Sequence, residues 1–436
     1  IYQLYNYYIF KGYYNLISIQ IINIIVSNFI VFFILFFVNC VDLYHIITLN
    51  TQQNIIEFIN MDNFFNINYF IWILLITFYI ISFMKIISVI DDIYVYKNIN
   101  NFYKNTLKIT DKELDYIEWN TIIYNIKKKT KQELDIFYIN NIICSKDNYF
   151  IFLLNKNILE INSLNKLLEW NIYYCIFFSI YNNNFKINDN IFTEKNRFSN
   201  KIKMKMRIIS IINLIFMPFI IMLVIFYYLF NYGEIFYNNP KTIISRGYSI
   251  REKWRLRYYN ELEHEYDDRI KIIEKYSTEY MSLFKNKILV ILFRLLIFLL
   301  SSILLVLVFF SIINDKILVK LIIFPNKPVL WVIGILAPII ALFRNYIIND
   351  TKRKPENVLE DLSKYTFIDE DIIENAHRNW VYKKISKNFT FKGLLFLKDI
   401  LSIILTPFNL WKISYSSDKI LEEILQISSP HNRLGF

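Results

Sequence analysis

The sequence predicts an all-α integral membrane protein, with four transmembrane helices, two re-entrant membrane helices and a large helical cytosolic part. Three observations predict it. Hydrophobic residues make up 55% of the 436 and charged residues 20%, against about a quarter charged in an average soluble domain, and the mean hydropathy is +0.31. The apolar residues gather in stretches near the ~20 residues that cross a bilayer. The 49 Lys and Arg outnumber the 38 Asp and Glu, a net charge of +11, and they crowd into the segments between those stretches.

Four stretches qualify as spans: Ile19 to Val38, Ile67 to Ile87 (with Lys85 placed to snorkel), Ile288 to Ile313, and Val329 to Ile348, which contains Gly334 and Pro338. Two more, 208–230 and 394–413, carry a proline in similar phrases, Met217-Pro218-Phe219 and Thr406-Pro407-Phe408. The positive-inside rule decides what these two do. The loop 39–66 has no Lys or Arg, 91–207 has 18, 232–287 has 11, 314–328 has three and 349–392 has nine. If 208–230 crossed the membrane, the two segments with 11 and nine cations would both be lumenal. If it dips and returns, every strongly basic segment is cytosolic. Pro218 supplies the break, because proline removes a backbone donor. In 394–413, Lys398 and Asp399 leave only 400–411 uninterrupted, too short for a span and suited to a second dip with its break at Pro407.

The domain reading follows. Residues 1–90 hold the first two spans and 91–207 form a cytosolic helical region. Residues 208–231 are the first re-entrant helix, and 232–287 a cytosolic helical segment. Residues 288–348 hold the last two spans, and 349–436 a cytosolic region containing the second re-entrant helix at 394–413. Both termini are cytosolic. Thr110-Asp111-Lys112-Glu113 reads as a capping box opening a helix through Trp119 and Ile123. Asn182, Asn183, Asn184, Asn188 and Asn190 mark a loop before the basic approach to the first dip.

Several chemistries are excluded or disfavoured. The six glycines are dispersed, so neither a P-loop nor a dinucleotide fingerprint can be written. Cys40, Cys144 and Cys175 form no CxxC pair and suggest neither a disulfide framework nor a metal set. The run Asn260-Glu261-Leu262-Glu263-His264-Glu265 lacks the second histidine of a zincin helix. With Arg251, Lys253, Arg255 and Arg257 nearby, it reads as a structural charged network. No triad is present, so the expectation is a protein without covalent catalysis, cofactor or metal. The basic loops are explained by membrane sidedness and anionic lipid, and no nucleic-acid module accompanies them. Arg294 and Arg344 stand out inside the apolar stretches. An intramembrane Arg costs at least ~2.5 kcal/mol at mid-bilayer, and so snorkels to the interface or faces a wet cavity or a counter-charge. A cavity along the fourth span is the sharper reading, with Gly334 and Pro338 allowing bending and close backbone approach.

Several phrases in order resemble the autophagy-related protein 9 family. They are Val38-Asn39-Cys40-Val41-Asp42, Ile109 to Leu114 with Trp119, Asn155 to Leu159, and Leu168-Glu169-Trp170-Asn171. Tyr232-Gly233-Glu234 through Pro240 follows, then Arg246, Tyr248-Ser249, Asn260 to His264, Arg344, Thr406-Pro407-Phe408 and Leu434-Gly435. The resemblance implies a homotrimer of four transmembrane and two re-entrant helices. It implies an ATP-independent phospholipid scramblase that redistributes lipid between leaflets as the autophagosome membrane forms and expands. It further implies residence in Golgi- and endosome-derived cytoplasmic vesicles and on the preautophagosomal structure and autophagosome membrane. The implied partners are membrane phospholipids and the autophagy-related protein 2 lipid-transfer protein. The headgroup path it implies includes Arg344, with Gly334 and Ala341 by position, and the segment Tyr237-Asn238-Asn239, uncharged here where some relatives carry charges. Arg294 joins the path on the intramembrane argument above. An anion-selective channel or transporter and a non-transporting vesicle scaffold are the alternatives.

Overall fold

A computed structural model of the chain describes residues 1–42, 58–65, 68–130, 136–159, 161, 163–181, 187–188, 190–238, 245–314, 316–324, 327–348 and 353–428. Most of the loop expected between the first two spans therefore lies outside the described residues, as do Asn182, Asn183, Asn184 and Leu434-Gly435.

Two long apolar helices open the membrane part, α2 (Tyr13–Asn39) after the short α1 (Tyr2–Ile9), and α3 (Tyr69–Asn101). Their few polar side chains bind them together. Gln20 Nε2 donates to Asp92 Oδ2 at 2.9 Å and Asn28 Nδ2 to Ser82 Oγ at 2.9 Å, which fixes an antiparallel pair. Such interhelical bonds contribute about 0.6–2 kcal/mol each in a bilayer.

Three helices build much of the region between α3 and the first expected dip: α4 (Trp119–Thr130), α5 (Ile136–Asn155) and α6 (Lys166–Ile172). The capping box forms only in part. Thr110 N donates to Glu113 Oε2 at 2.7 Å, but Glu113–Asp115 is a single 3-10 turn and the α-helix starts at Trp119. Lys11 Nζ takes the Leu114 carbonyl at 2.8 Å, the acceptor that a continuing helix would offer to residue 118.

The first expected dip is one continuous helix, α7 (Lys195–Asn238), with Pro218 inside it. Helix α8 (Ile250–Leu256) and α9 (Glu263–Leu283) follow strand β1 (Arg246–Tyr248). Helices α10 (Lys287–Ile313) and α11 (Val329–Ile348) form a hairpin closed by a ribbon of Ile322–Phe324 against Lys327–Pro328. Then come α12 (Pro355–Ser363), α13 (Glu370–Glu374), α14 (Asn379–Asn388), strand β2 (Phe389–Phe391), α15 (Lys392–Ile413) and α16 (Ser417–Ser428).

Pro218 and Pro407 do not end their helices, which corrects the expectation of a break at each. Pro407 forfeits the bond to the residue 403 carbonyl, yet its surroundings are held from the side. Asn165 Nδ2 donates to Ser402 Oγ at 2.8 Å and to Thr406 Oγ1 at 2.9 Å, and Ser210 Oγ donates to the Pro407 carbonyl at 2.6 Å. With Tyr228 Oη donating to Asp399 Oδ2 at 3.3 Å, these contacts run α7 and α15 antiparallel. Five helices among the described residues are long and apolar enough to cross a membrane, within 13–39, 71–107, 195–230, 287–313 and 392–426, and Val329–Arg344 is a shorter apolar one.

The remaining helices bury three apolar clusters. The first joins Phe150, Leu168, Ile172 and Ile176 to Ile202 and Met206 of α7, to Leu410 and Ile413 of α15, and to Ile420 and Ile424 of α16. The second seats Tyr5, Tyr7 and Tyr8 of α1 on Tyr103, Leu114, Trp119 and Ile123. The third packs Ile273 and Tyr280 against Val358, Leu359, Val381 and Phe389. Residues 246–262 join all three. Arg246 registers opposite Phe391 in the β1–β2 pair, Tyr248 packs on the third cluster, Trp254 lies in the first and Leu262 in the second. The chain entering α7 and the chain following it are thus anchored in one helical body, and so are the two ends of α15.

Candidate functional site

The α10–α11 hairpin carries most of the residues expected to form the headgroup path. Phe293 stacks on Phe343 at 4.7 Å and meets Tyr346 edge-on at 5.1 Å, so the neighbouring Arg294 and Arg344 lie at the same level of the hairpin. Both arginines are exposed, and among the described residues neither has a hydrogen-bond or ion-pair partner. Ala341 is three residues before Arg344 and Gly334 seven before Ala341, spacings that place all three on one stripe of α11. A Cβ built on Gly334 meets nothing within 4 Å. Among the described residues the expected close backbone approach at this glycine is therefore not made, and along the stripe Gly334 and Arg344 are exposed and Ala341 half-buried. Tyr237 and Asn238 belong to the last helical turn of α7, and Asn239 lies outside the described residues.

A second feature went unnoticed in the sequence. A cavity of about 360 Å³ lies between α2, α3, α6, α7 and α15, walled by Ile30, Ile220, Leu223 and Ile403, with Tyr227, Tyr228 and Asp399 supplying polar atoms. Asp399 had served only to interrupt an apolar run. Its partnership with Tyr228 depends on residues 171 positions apart, which no local pattern announces.

The charged run after β1 folds into the structural network expected of it. Arg257 Nη2 lies 2.9 Å from Asp147 Oδ2 and Lys253 Nζ 3.4 Å from Glu274 Oε1. Glu261 is claimed by a downstream residue, Arg269, whose Nε and Nη2 donate to its two oxygens at 2.5 and 2.6 Å. His264 Nδ1 meets Tyr5 Oη at 2.9 Å, and burial holds its pKa below the ordinary value. Burial also pushes the Cys144 and Cys175 thiols up to about 12, so both stay protonated and poorly nucleophilic at neutral pH.

The family model for autophagy protein ATG9 matches residues 1–435. The chain belongs to the ATG9 family. Autophagy-related protein 9 of Saccharomyces cerevisiae (strain ATCC 204508 / S288c) is 26% identical over 463 aligned residues, covering 99% of this chain and 46% of the yeast protein. The Dictyostelium discoideum member is 26% identical, over 96% of this chain and 62% of its own length. The chain spans about half the length of the curated relatives it matches. Schizosaccharomyces pombe Atg9, solved by cryo-EM, superposes with a TM-score of 0.70 at 24% identity, over 97% of this chain and 92% of that one. That likeness carries the ATG9 fold to this chain, and with it a mostly helical membrane architecture.

Proposed function

We propose that the chain is an ATP-independent phospholipid scramblase, acting as the autophagosome membrane forms and expands. The observation that carries this reading is the pair Arg294 and Arg344, exposed at one level of an apolar hairpin with no counter-charge among the described residues. Two guanidiniums within an apolar surface are costly unless an anion meets them, and a lipid phosphate is the anion a bilayer supplies, bound bidentately. Ala341 leaves room one turn from Arg344, and Gly334 leaves room about 15 Å from Arg344 along the same stripe. Headgroups pass along this stripe while acyl chains stay in lipid, and no energy source is needed to equalise two leaflets.

In this reading four helices span the membrane, α7 and α15 dip and return, and both termini are cytosolic. The anchoring of the chain before and after α7, and of the two ends of α15, in one helical body supports the dips. The exposed hairpin is covered by lipid and by neighbouring copies in a homotrimer. Lipid delivered to one leaflet by the autophagy-related protein 2 lipid-transfer protein is shared with the other, on the autophagosome membrane and on Golgi- and endosome-derived vesicles.

The test is reconstitution into sealed liposomes with fluorescent phospholipid in both leaflets and a membrane-impermeant quencher, without ATP. Quenching well beyond half is expected, and Arg294→Leu with Arg344→Leu is expected to slow the second phase at least tenfold. Quenching that stops near half with correctly assembled protein leaves a vesicle scaffold. Leakage of a small anionic dye leaves an anion channel.

A further inference from the structure

A second basic constellation lies away from the hairpin. A pocket of about 170 Å³ opens where α8, the end of α14, β2 and the first turns of α15 meet the loop before α6. Its cations are Arg251, Lys387 and Lys398, and its carboxylates are Glu252 and Asp399. Glu252 lies 3.6 Å from Arg255 and also acts electrostatically on Arg251, and Asp399 accepts from the Tyr228 hydroxyl. Among the described residues Lys387 and Lys398 have no hydrogen-bond or ion-pair partner. The hydroxyl of Thr390, also in the wall, is buried and has no hydrogen-bond partner among the described residues. A buried hydroxyl left unpaired costs about 1–3 kcal/mol, a cost that an acceptor atom in the pocket would remove.

The pocket does not stand alone. Asp399 also lines the 360 Å³ apolar cavity, and the segments 163–167, 249–252 and 398–403 contribute walls to both. A cluster of cations with a buried donor suits a phosphate group, and the adjoining apolar cavity suits an acyl chain. We infer that this double pocket holds a resident anionic phospholipid whose headgroup ends in a phosphomonoester. Arg251, Lys387 and Lys398 face the phosphate, Thr390 donates to one of its oxygens, and an acyl chain occupies the cavity beside Tyr227 and Ile403. A phosphomonoester carries between one and two negative charges near neutral pH, which suits a lining of three cations and two carboxylates, one net positive charge, better than a zwitterionic headgroup does. The inference uses none of the hairpin residues, so it stands or falls separately from lipid transport.

The experiment is a titration of fluorescent phosphatidic acid into the full chain held in phosphatidylcholine nanodiscs. The double variant K387E/K398E is expected to bind at least tenfold more weakly and T390V about threefold more weakly, with unchanged gel-filtration profiles. The same charge change at Lys127 and Lys128, on the far end of α4, is expected to alter binding less than twofold. I403W, which fills the apolar cavity, is expected to weaken the lipid as well. Unchanged binding in K387E/K398E, or an equal loss in K127E/K128E, overturns the site. Competition by soluble glycerol 3-phosphate at the lipid's own concentration overturns the lipid assignment, because it shows that the phosphate alone provides the affinity.

Discussion

The helical body and the α10–α11 hairpin are both rich in large aliphatic and aromatic residues, yet they use them in opposite ways. In the body Leu168, Ile172 and Ile176 are fully enclosed. In the hairpin Ile291, Phe298, Leu305 and Ile312 are between 67% and 76% exposed. The cations differ in the same sense. Arg269 donates to both Glu261 oxygens and to the carbonyls of Leu256 and Tyr365, and lies 3.7 Å from the centre of the Tyr258 ring. Arg294 and Arg344 have no such partners among the described residues. The body encloses these apolar side chains and pairs Arg269 within one chain, whereas the exposed apolar faces and arginines of the hairpin meet no such complement among the described residues. Hydrophobicity alone does not separate the two, since what differs is whether an apolar face or a guanidinium fork meets its complement.

That contrast can be broken most directly at the arginines. Arg269→Met would leave Glu261 buried without its counter-charge, and is expected to cost about 3–5 kcal/mol. Arg344→Met is expected to change stability by no more than about 0.5 kcal/mol while slowing lipid exchange. Denaturant unfolding in one detergent, followed by circular dichroism, compares them. Comparable losses would make Arg344 a structural residue and remove the basis of the headgroup path. The apolar side chains sharpen the same contrast with a smaller effect. Ile176→Ala is expected to cost about 2–5 kcal/mol as a core cavity, and Phe298→Ala well under half of that in a dispersed single chain. If Phe298→Ala were as costly as Ile176→Ala, the hairpin would be packed within the chain after all.

The sequence announces the two regions unequally. Apolar stretches of 20 or more residues and the basic segments between them reveal the membrane helices, because length and charge are local properties. The charged network after β1 was legible as a network, but its pairs were not. Glu261 has Arg255 and Arg257 close by and instead binds Arg269, on the next helix, while Arg257 goes to Asp147 on α5. Helix continuity at Pro218 and Pro407 was misjudged for a related reason. The side chains that support α15 through Pro407 come from Asn165 and Ser210, roughly 200 or more positions away. The helix expected from the Thr110 capping box is interrupted at Leu114, whose carbonyl accepts from the distant Lys11. At the hairpin, sequence reasoning found both arginines but not that they share a level, which is set by Phe293 meeting Phe343.

The smallest expected effect concerns how the body holds the N-terminal helix. Tyr5 and Tyr8 lie 5.8 and 5.4 Å from the His264 ring and 5.0 and 5.4 Å from Trp119, so His264 is part of the seat of α1. Burial lowers its pKa first, with Lys11 acting in the same direction and Glu265, Asp267 and Asp268 opposing. A histidine whose folded pKa lies below the unfolded value of about 6.5 binds more protons when unfolded. Its contribution is therefore fully present above about pH 6.5 and is lost as the pH falls toward the folded pKa. Glu263 works the other way, because burial raises its pKa and makes the folded state hold its proton more tightly as the pH falls. The difference between chains isolates the histidine. Melting temperatures taken from pH 7.5 to 5.5 are expected to fall more steeply for the wild type than for His264→Gln, which can keep a hydrogen bond to Tyr5 but cannot titrate. Parallel slopes would mean that His264 titrates alike in both states.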